Sequence, residues 1–196
     1  MIPPPVPPAA TPLPRALTGD SPTPALVRIT ALVPTTRLSI HAGPQAATAI
    51  GLAAGVLLGS APNRTVVSRD KAALGLGPEE WLVLASESDR TLAETATAAA
   101  GDHPASVVDV SHRHASIEIT GPRAAWCLNA FCALDLHPSA FPIGMCTRTL
   151  LGKAEIVLWR LGNETFHIEV ARSFAHYVWL CLEDARREFI DPPSTC

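Results

Sequence analysis

The chain is short of charge. Charged residues make up 17% of its 196 residues, against about a quarter in an ordinary soluble domain. Fifteen Lys and Arg oppose eighteen Asp and Glu, and no basic block breaks the balance. The electrostatic footprint of nucleic-acid binding is therefore missing, and a charge-poor surface suits partial cover by a partner. Long apolar runs are missing too. Ala46 to Ala61 is rich in Ala, Leu and Gly, but it is shorter than a membrane span and is broken by Thr48, Gly51, Gly55 and Gly59. No membrane insertion is expected. There is no C-x-x-C pair, and the cysteines number five: Cys127, Cys132, Cys146, Cys181 and Cys196. An odd count without paired spacing argues against a disulfide framework or a zinc site. Buried, reduced thiols in a cytoplasmic protein are expected instead. The opening MIPPPVPPAATPLP lacks a basic start followed by an apolar core, so it does not read as a secretory signal.

What is present begins with proline. Nine of the nineteen prolines fall in the first 24 residues, beside only two charges, Arg15 and Asp20. Such a segment buries too little surface to offset its ordering entropy. Residues 1–25 read as an extended or disordered arm, either a passive tail or a strap across a partner subunit. Residues 26–190 read as one domain, and 191–196 as a tail.

The domain repeats itself. LSIHAGPQAA (38–47) matches IEITGPRAA (117–125), an alternating strand followed by Gly-Pro-x-Ala-Ala. LGPEEWLVLA (76–85) matches LGNETFHIEV (161–170). Offsets of this length indicate a duplicated subdomain rather than a solenoid, with pseudo-repeats at about 26–104 and 105–190. Each half reads strand–helix–strand–strand–helix. Pro44 and Pro122 suit the first helical position, where no N–H is needed. Thr147 to Trp159 and Phe166 to Val170 read as a hairpin turning at Leu161-Gly162-Asn163. A last helix is expected near Ser173 to Phe189, with Phe174, Val178, Cys181, Leu182, Ala185 and Phe189 on its inner face. The fold class is α+β, with antiparallel sheets and helices packed on one side of each.

DVSHRH (109–114) holds side chains that enzymes use. His112 and His114, two apart on a strand, would share a face and could bind a metal. Asp109, Cys127 and Cys132 supply no matching ligand spacing, so a histidine hydrogen-bonded to backbone is the simpler reading. Ser111 and His112 are neighbours that would face opposite ways on a strand, and no G-x-S-x-G elbow occurs. The Gly-Lys of LLGKAE has Thr147 where a phosphate loop needs glycine and Ala154 where it needs Ser or Thr. Trp126 and Trp179 fall off the apolar stripes of their helices and read as interface candidates or as rings lying flat on their own domain.

LGPEEWL, DVSHR, ITGPRAA, LDLHPSAFPIGMCTRTLLGKAEIVLWR and the closing FHIEV and RSFAHYVW resemble the gamma subunit family of heterotetrameric sarcosine oxidase, over about residues 26–190. That family is in turn similar to the folate-binding domain of the glycine-cleavage T-protein, an aminomethyltransferase. The resemblance implies two tandem ferredoxin-like halves. It also implies a complex that oxidatively demethylates sarcosine or a related N-methyl amine, with this chain as a non-catalytic accessory subunit. FAD, FMN, NAD and tetrahydrofolate would sit on other subunits. The partners would be alpha, beta and delta subunits, chiefly alpha. Aminomethyltransferases carry an Asp in the hairpin that corresponds to Thr149–Ile156. Here that hairpin is shorter and Glu155 is its one carboxylate, so no catalytic, cofactor-binding or metal residue carries over. A stand-alone folate-binding or one-carbon-transfer protein is the alternative, as is the gamma subunit of a related N-methyl amino acid demethylase.

Overall fold

In the computed structural model the described residues are 26–86, 89 and 91–189. The arm 1–25 and the tail 191–196 lie outside them. Ten strands and four helices alternate along this stretch. They are β1 (Arg28–Ala31), β2 (Thr35–Ala42), α1 (Pro44–Ala54), β3 (Thr65–Ser68), β4 (Lys71–Gly77), β5 (Glu80–Ser86), α2 (Leu92–Ala100) and β6 (Ala105–Asp109). There follow β7 (His114–Thr120), α3 (Ala124–Asn129), β8 (Cys146–Leu151), β9 (Ala154–Gly162), β10 (Thr165–Ala171) and α4 (Arg172–Arg186). A short 3-10 turn, Arg187–Phe189, closes the described chain.

The strands form two five-stranded sheets, β3-β4-β5-β2-β6 and β1-β7-β10-β9-β8. Each contains the ferredoxin-like arrangement expected for each half. The fourth strand of each unit was not legible in the strand–helix–strand–strand–helix reading. The first sheet takes β6, and the second takes β1 from the N-terminal side, with Arg28 opposite Thr120 and Ala31 opposite Ile117.

Alternation along the strands sorts side chains into three cores. Leu38, Ile40, Val83 and Ala85 face α1 and α2, where they meet Ile50 and Ala96. Ile117, Ile119, Ile156, Phe166 and Ile168 face α3 and α4, where they meet Leu128, Val178 and Leu182. The opposite faces of the two sheets pack on each other through Leu74, Leu82, Leu84, Cys146, Val157 and Trp159. The layers therefore run helix, sheet, sheet, helix.

Several sequence expectations change in detail. Pro44 does open α1, after an extended Gly43. Pro122 does not open α3. Gly121 takes φ 119 and the helix begins at Ala124, two residues after Pro122. Thr147 to Trp159 is two strands rather than one, because Gly152 and Lys153 form a tight turn between β8 and β9. The inner face of α4 is rotated from the expected one. Val178, Cys181, Leu182 and Ala185 are buried as expected, but Phe174 is 45% exposed and Trp179 only 2%. Ala175, buried one turn before Trp179, leaves room for the indole against the sheet. Trp179 is thus a core residue and not an interface candidate, whereas Trp126 is 66% exposed. Cys127, Cys132, Cys146 and Cys181 are buried free thiols, and burial pushes the Cys127 thiol up to about 12. No helix among the described residues is long and apolar enough to cross a membrane.

Candidate functional site

The seam between the sheets brings a group of polar and charged side chains inside. Leu38 and Ile40 point to the helices, so Arg37 points to the seam. By the same alternation β7 presents Ser116 and β10 presents His167 and Glu169. All four are buried. Arg37 Nε donates to Glu169 Oε2 at 2.6 Å, and Nη2 donates to Glu169 Oε1 at 3.4 Å and to the Ser116 hydroxyl. Ser116 Oγ donates to Glu169 Oε1 at 2.5 Å, and His167 Nε2 to the same oxygen at 2.7 Å. Arg37 Nη1 closes the network on the Thr35 carbonyl at 2.9 Å.

Burial alone would raise the Glu169 carboxyl. The hydrogen bond and charge of His167 and the guanidinium of Arg37 outweigh it and hold the group at about 2. A carboxylate ionised this firmly, with both oxygens engaged, is a poor proton carrier at neutral pH.

DVSHRH ties into this network. Ser111 Oγ accepts the Arg37 backbone N–H at 2.9 Å and donates to Asp109 Oδ1 at 2.5 Å. Val110 N–H donates to the Arg37 carbonyl at 2.9 Å, and Arg172 N–H to the Arg113 carbonyl at 2.8 Å. The segment pins the first half to the second. His112 and His114 do not share a strand face as expected, because Ser111–Arg113 is a turn and β7 begins only at His114. Burial lowers the His114 imidazole below its ordinary value, against the pull of Glu169, and a hydrogen bond to the Val110 backbone opposes that shift as well. Its Nδ1 is buried without a hydrogen-bond partner, as is Trp159 Nε1. Among the described residues, no group of three or more His, Cys, Asp or Glu could hold a metal ion.

Beside the network the seam opens into a cleft of about 200 Å³ lined by Ser39, Arg113, His114, Arg148, Glu155 and Glu169 among others. Across its mouth Arg148 of β8 forms a two-nitrogen pair with Glu80 of β5, one contact being 2.8 Å. The Arg148 hydrogen bond lowers the Glu80 carboxyl despite partial burial. Glu155 stands opposite Leu150 in the register, just after the turn at Gly152. The tight turn leaves it at the cleft wall.

Sequence reasoning missed Arg37, Glu169 and Arg160. Arg160 is buried and donates to the carbonyls of Leu136 and Phe141 at 2.9 Å and of Asn163 at 2.6 Å. It clamps the long loop between α3 and β8 onto the β9–β10 turn, with Phe166 under its guanidinium at 5.0 Å. Arg37 and Glu169 occupy the polar phase of an alternating strand, which normally means solvent, whereas Arg160 continues the apolar phase of Ala154, Ile156 and Leu158. The available signal was the apolar run on both phases of WLVLA and IVLW, the mark of sheets covered on both faces.

Known proteins share this architecture and sequence. A family model described as sarcosine oxidase, gamma subunit family, matches residues 39–188. The sarcosine oxidase subunit gamma of Corynebacterium sp. strain P-1 is 38% identical over 122 residues, 62% of this chain and 60% of that one. The subunit gamma of Corynebacterium sp. strain U-96 is 35% identical over 151 residues, 76% of this chain and 70% of that one. The chain thus spans between about 60% and 70% of the length of these relatives. A solved chain of the heterotetrameric sarcosine oxidase from Corynebacterium sp. U-96, in complex with pyrrole 2-carboxylate, superposes with TM-score 0.80 at 31% identity, covering 86% of this chain and 88% of that one. The glycine cleavage system aminomethyltransferase T of Bartonella henselae shares the fold, with TM-score 0.62 at 14% identity over 83% of this chain and 47% of that one. This chain belongs to the sarcosine oxidase gamma subunit family.

Proposed function

We propose that this chain is a non-catalytic structural subunit of a heterotetrameric sarcosine-oxidase-type complex that oxidatively demethylates sarcosine or a related N-methyl amine. The observation that carries this reading is the saturation of Glu169. The best-placed buried carboxylate is consumed by Arg37, Ser116 and His167, so it serves to join the halves and not to move protons. Residues 26–190 dock as one unit on the other subunits, chiefly alpha, in the cytoplasm. FAD, FMN, NAD and tetrahydrofolate are held on those subunits. Purified alone, the chain should carry no flavin and turn over no sarcosine, yet co-purify with alpha. An assembly of alpha, beta and delta that is fully stable and active without it would sink the reading.

The open cleft with Glu155 on its wall favours one rival, a chain that binds folate by itself. Titration of the isolated chain with a reduced folate separates the two. Micromolar binding lost on Glu155→Gln would favour the rival, and no binding favours the structural role.

A further inference from the structure

Most charges around the seam cleft are spent on each other. Glu169 is taken by Arg37, Ser116 and His167, and Arg148 by Glu80. Arg113 and Glu155 also line the cleft, and neither side chain makes a hydrogen bond or ion pair with a described residue. Arg148 is near enough to feel the Glu155 charge but turns its guanidinium to Glu80. The strand register fixes where these groups stand. Ala171 of β10 lies opposite His114 of β7, and Val170 lies opposite Ile156 of β9. One residue further, Ala171 has Glu155 on its other side. His114 and Glu155 thus flank a small residue across two strand spacings, about 9.5 Å. Arg113 is held at the His114 end, where its carbonyl accepts the Arg172 N–H at 2.8 Å. His114 Nδ1 is buried without a partner among the described residues, and such orphaned nitrogens mark places that another molecule completes.

We infer that this cleft binds a small zwitterion of the α-amino acid class, its amine on Glu155 and its carboxylate on Arg113 and His114. The charges select that class. A lone anion would satisfy Arg113 but be repelled by Glu155, and a lone cation would meet the reverse. A molecule carrying both signs satisfies both ends. The span agrees. Two charge-assisted hydrogen bonds of about 2.8 Å each leave about 4 Å of the gap for the ligand itself, the reach of an amine and a carboxylate on one carbon. Burial holds the His114 imidazole below its ordinary value, so at neutral pH the ring meets the carboxylate as a neutral hydrogen-bond donor. The volume agrees as well. About 200 Å³ is less than the roughly 300–1,000 Å³ of pockets for drug-sized ligands. Leu82 and Val157 give the walls an apolar stretch for a short aliphatic side chain.

Calorimetric titration of the full chain with three matched probes tests this. L-alanine carries both charges, propionate only the carboxylate and ethylamine only the amine. Alanine is expected to bind saturably, and each single-charge probe about tenfold or more weakly, the worth of one charge-assisted hydrogen bond. Glu155→Gln should weaken alanine by a similar factor without weakening propionate. Arg113→Gln should weaken alanine and propionate and spare ethylamine. Both residues are exposed and outside the Arg37–Glu169 network, so the variants should keep their fold, checked by circular dichroism. No saturable alanine binding overturns the inference. So does propionate binding as tightly as alanine, which would leave an anion site only, or alanine binding that both substitutions leave unchanged. The result is independent of the chain's role in a complex, because failure to bind alanine would leave co-purification with alpha untouched.

Discussion

Strands β5 and β10 are the same strand of the two repeats, yet they treat the seam differently. Trp81, Val83 and Ala85 in one correspond to Phe166, Ile168 and Val170 in the other, and all six face the helices and are buried. The seam-facing positions have parted. Leu82 and Leu84 of β5 correspond to His167 and Glu169 of β10. The helix faces of both halves obey the same packing demand, so their apolar character is alike in both. The seam is made once, between unlike partners, so each half is free to bring its own chemistry. The apolar end supplies buried area. The polar end supplies direction, because Arg37 and Glu169 fit together in only one register of sheet on sheet.

The largest effect is expected from breaking the polar end on one side. Arg37→Met leaves the buried Glu169 without its guanidinium, held by Ser116 and His167 alone, and should cost about 3–5 kcal/mol in chemical denaturation. Adding Glu169→Leu, which copies the Leu84 pattern into the second half, should recover most of that loss. A double variant as unstable as the single one would show that the two ends are not interchangeable. The same pair sets the acid limb. The Glu169 carboxyl is held at about 2, below its ordinary value of 4.5. Its contribution is therefore complete above 4.5 and is lost as pH falls from there through about 2. The double variant should show a shallower decline of stability over that range.

At the apolar end Leu84→Ala should cost about 2–4 kcal/mol through lost burial and a residual cavity. A much smaller loss would mean the seam collapses easily and that area matters less there. The matched turns give a finer test. Between β3 and β4 Arg69 sits at φ 54, and between β8 and β9 Gly152 sits at φ 59. A Cβ on Gly152 would collide with the Tyr177 hydroxyl, which also accepts the Lys153 N–H at 3.1 Å. Gly152→Ala should lower the midpoint by the equivalent of about 1–3 kcal/mol, while Arg69→Gly should stay within about 0.5 kcal/mol. The smallest effect is expected at the cleft mouth, where Arg148→Ala removes a half-exposed ion pair with Glu80 and should cost under about 1 kcal/mol.

The duplication was legible because Gly-Pro-x-Ala-Ala and the LGPEEW/LGNETF hairpins keep their local chemistry in both halves. The seam was not. Arg37 and Glu169 are 132 residues apart, and each lies on the polar phase of a strand whose other phase is apolar. Local alternation cannot tell solvent from a second sheet. Trp179 was misplaced for a related reason. Its stripe on α4 is completed by the small Ala175, which a search for large apolar residues passes over. DVSHRH, dense in reactive side chains, is spent largely on hydrogen bonds to the backbone of Arg37 and Arg172, which join the halves.

The exchange of β1 has a consequence for synthesis. β1 leaves the ribosome first, but its partner β7 is not complete until Thr120 has been added, opposite Arg28. At about 5–20 residues per second, the leading strand waits several seconds with no sheet to join. Meanwhile β2 to β6 can close the first sheet by themselves. A nascent chain halted after Asp109 would hold one finished sheet and one unpaired strand still exposing Val27 and Ile29, which are buried in the complete fold. That orphan strand would mark the product as unfinished to any quality-control factor that reads exposed apolar segments.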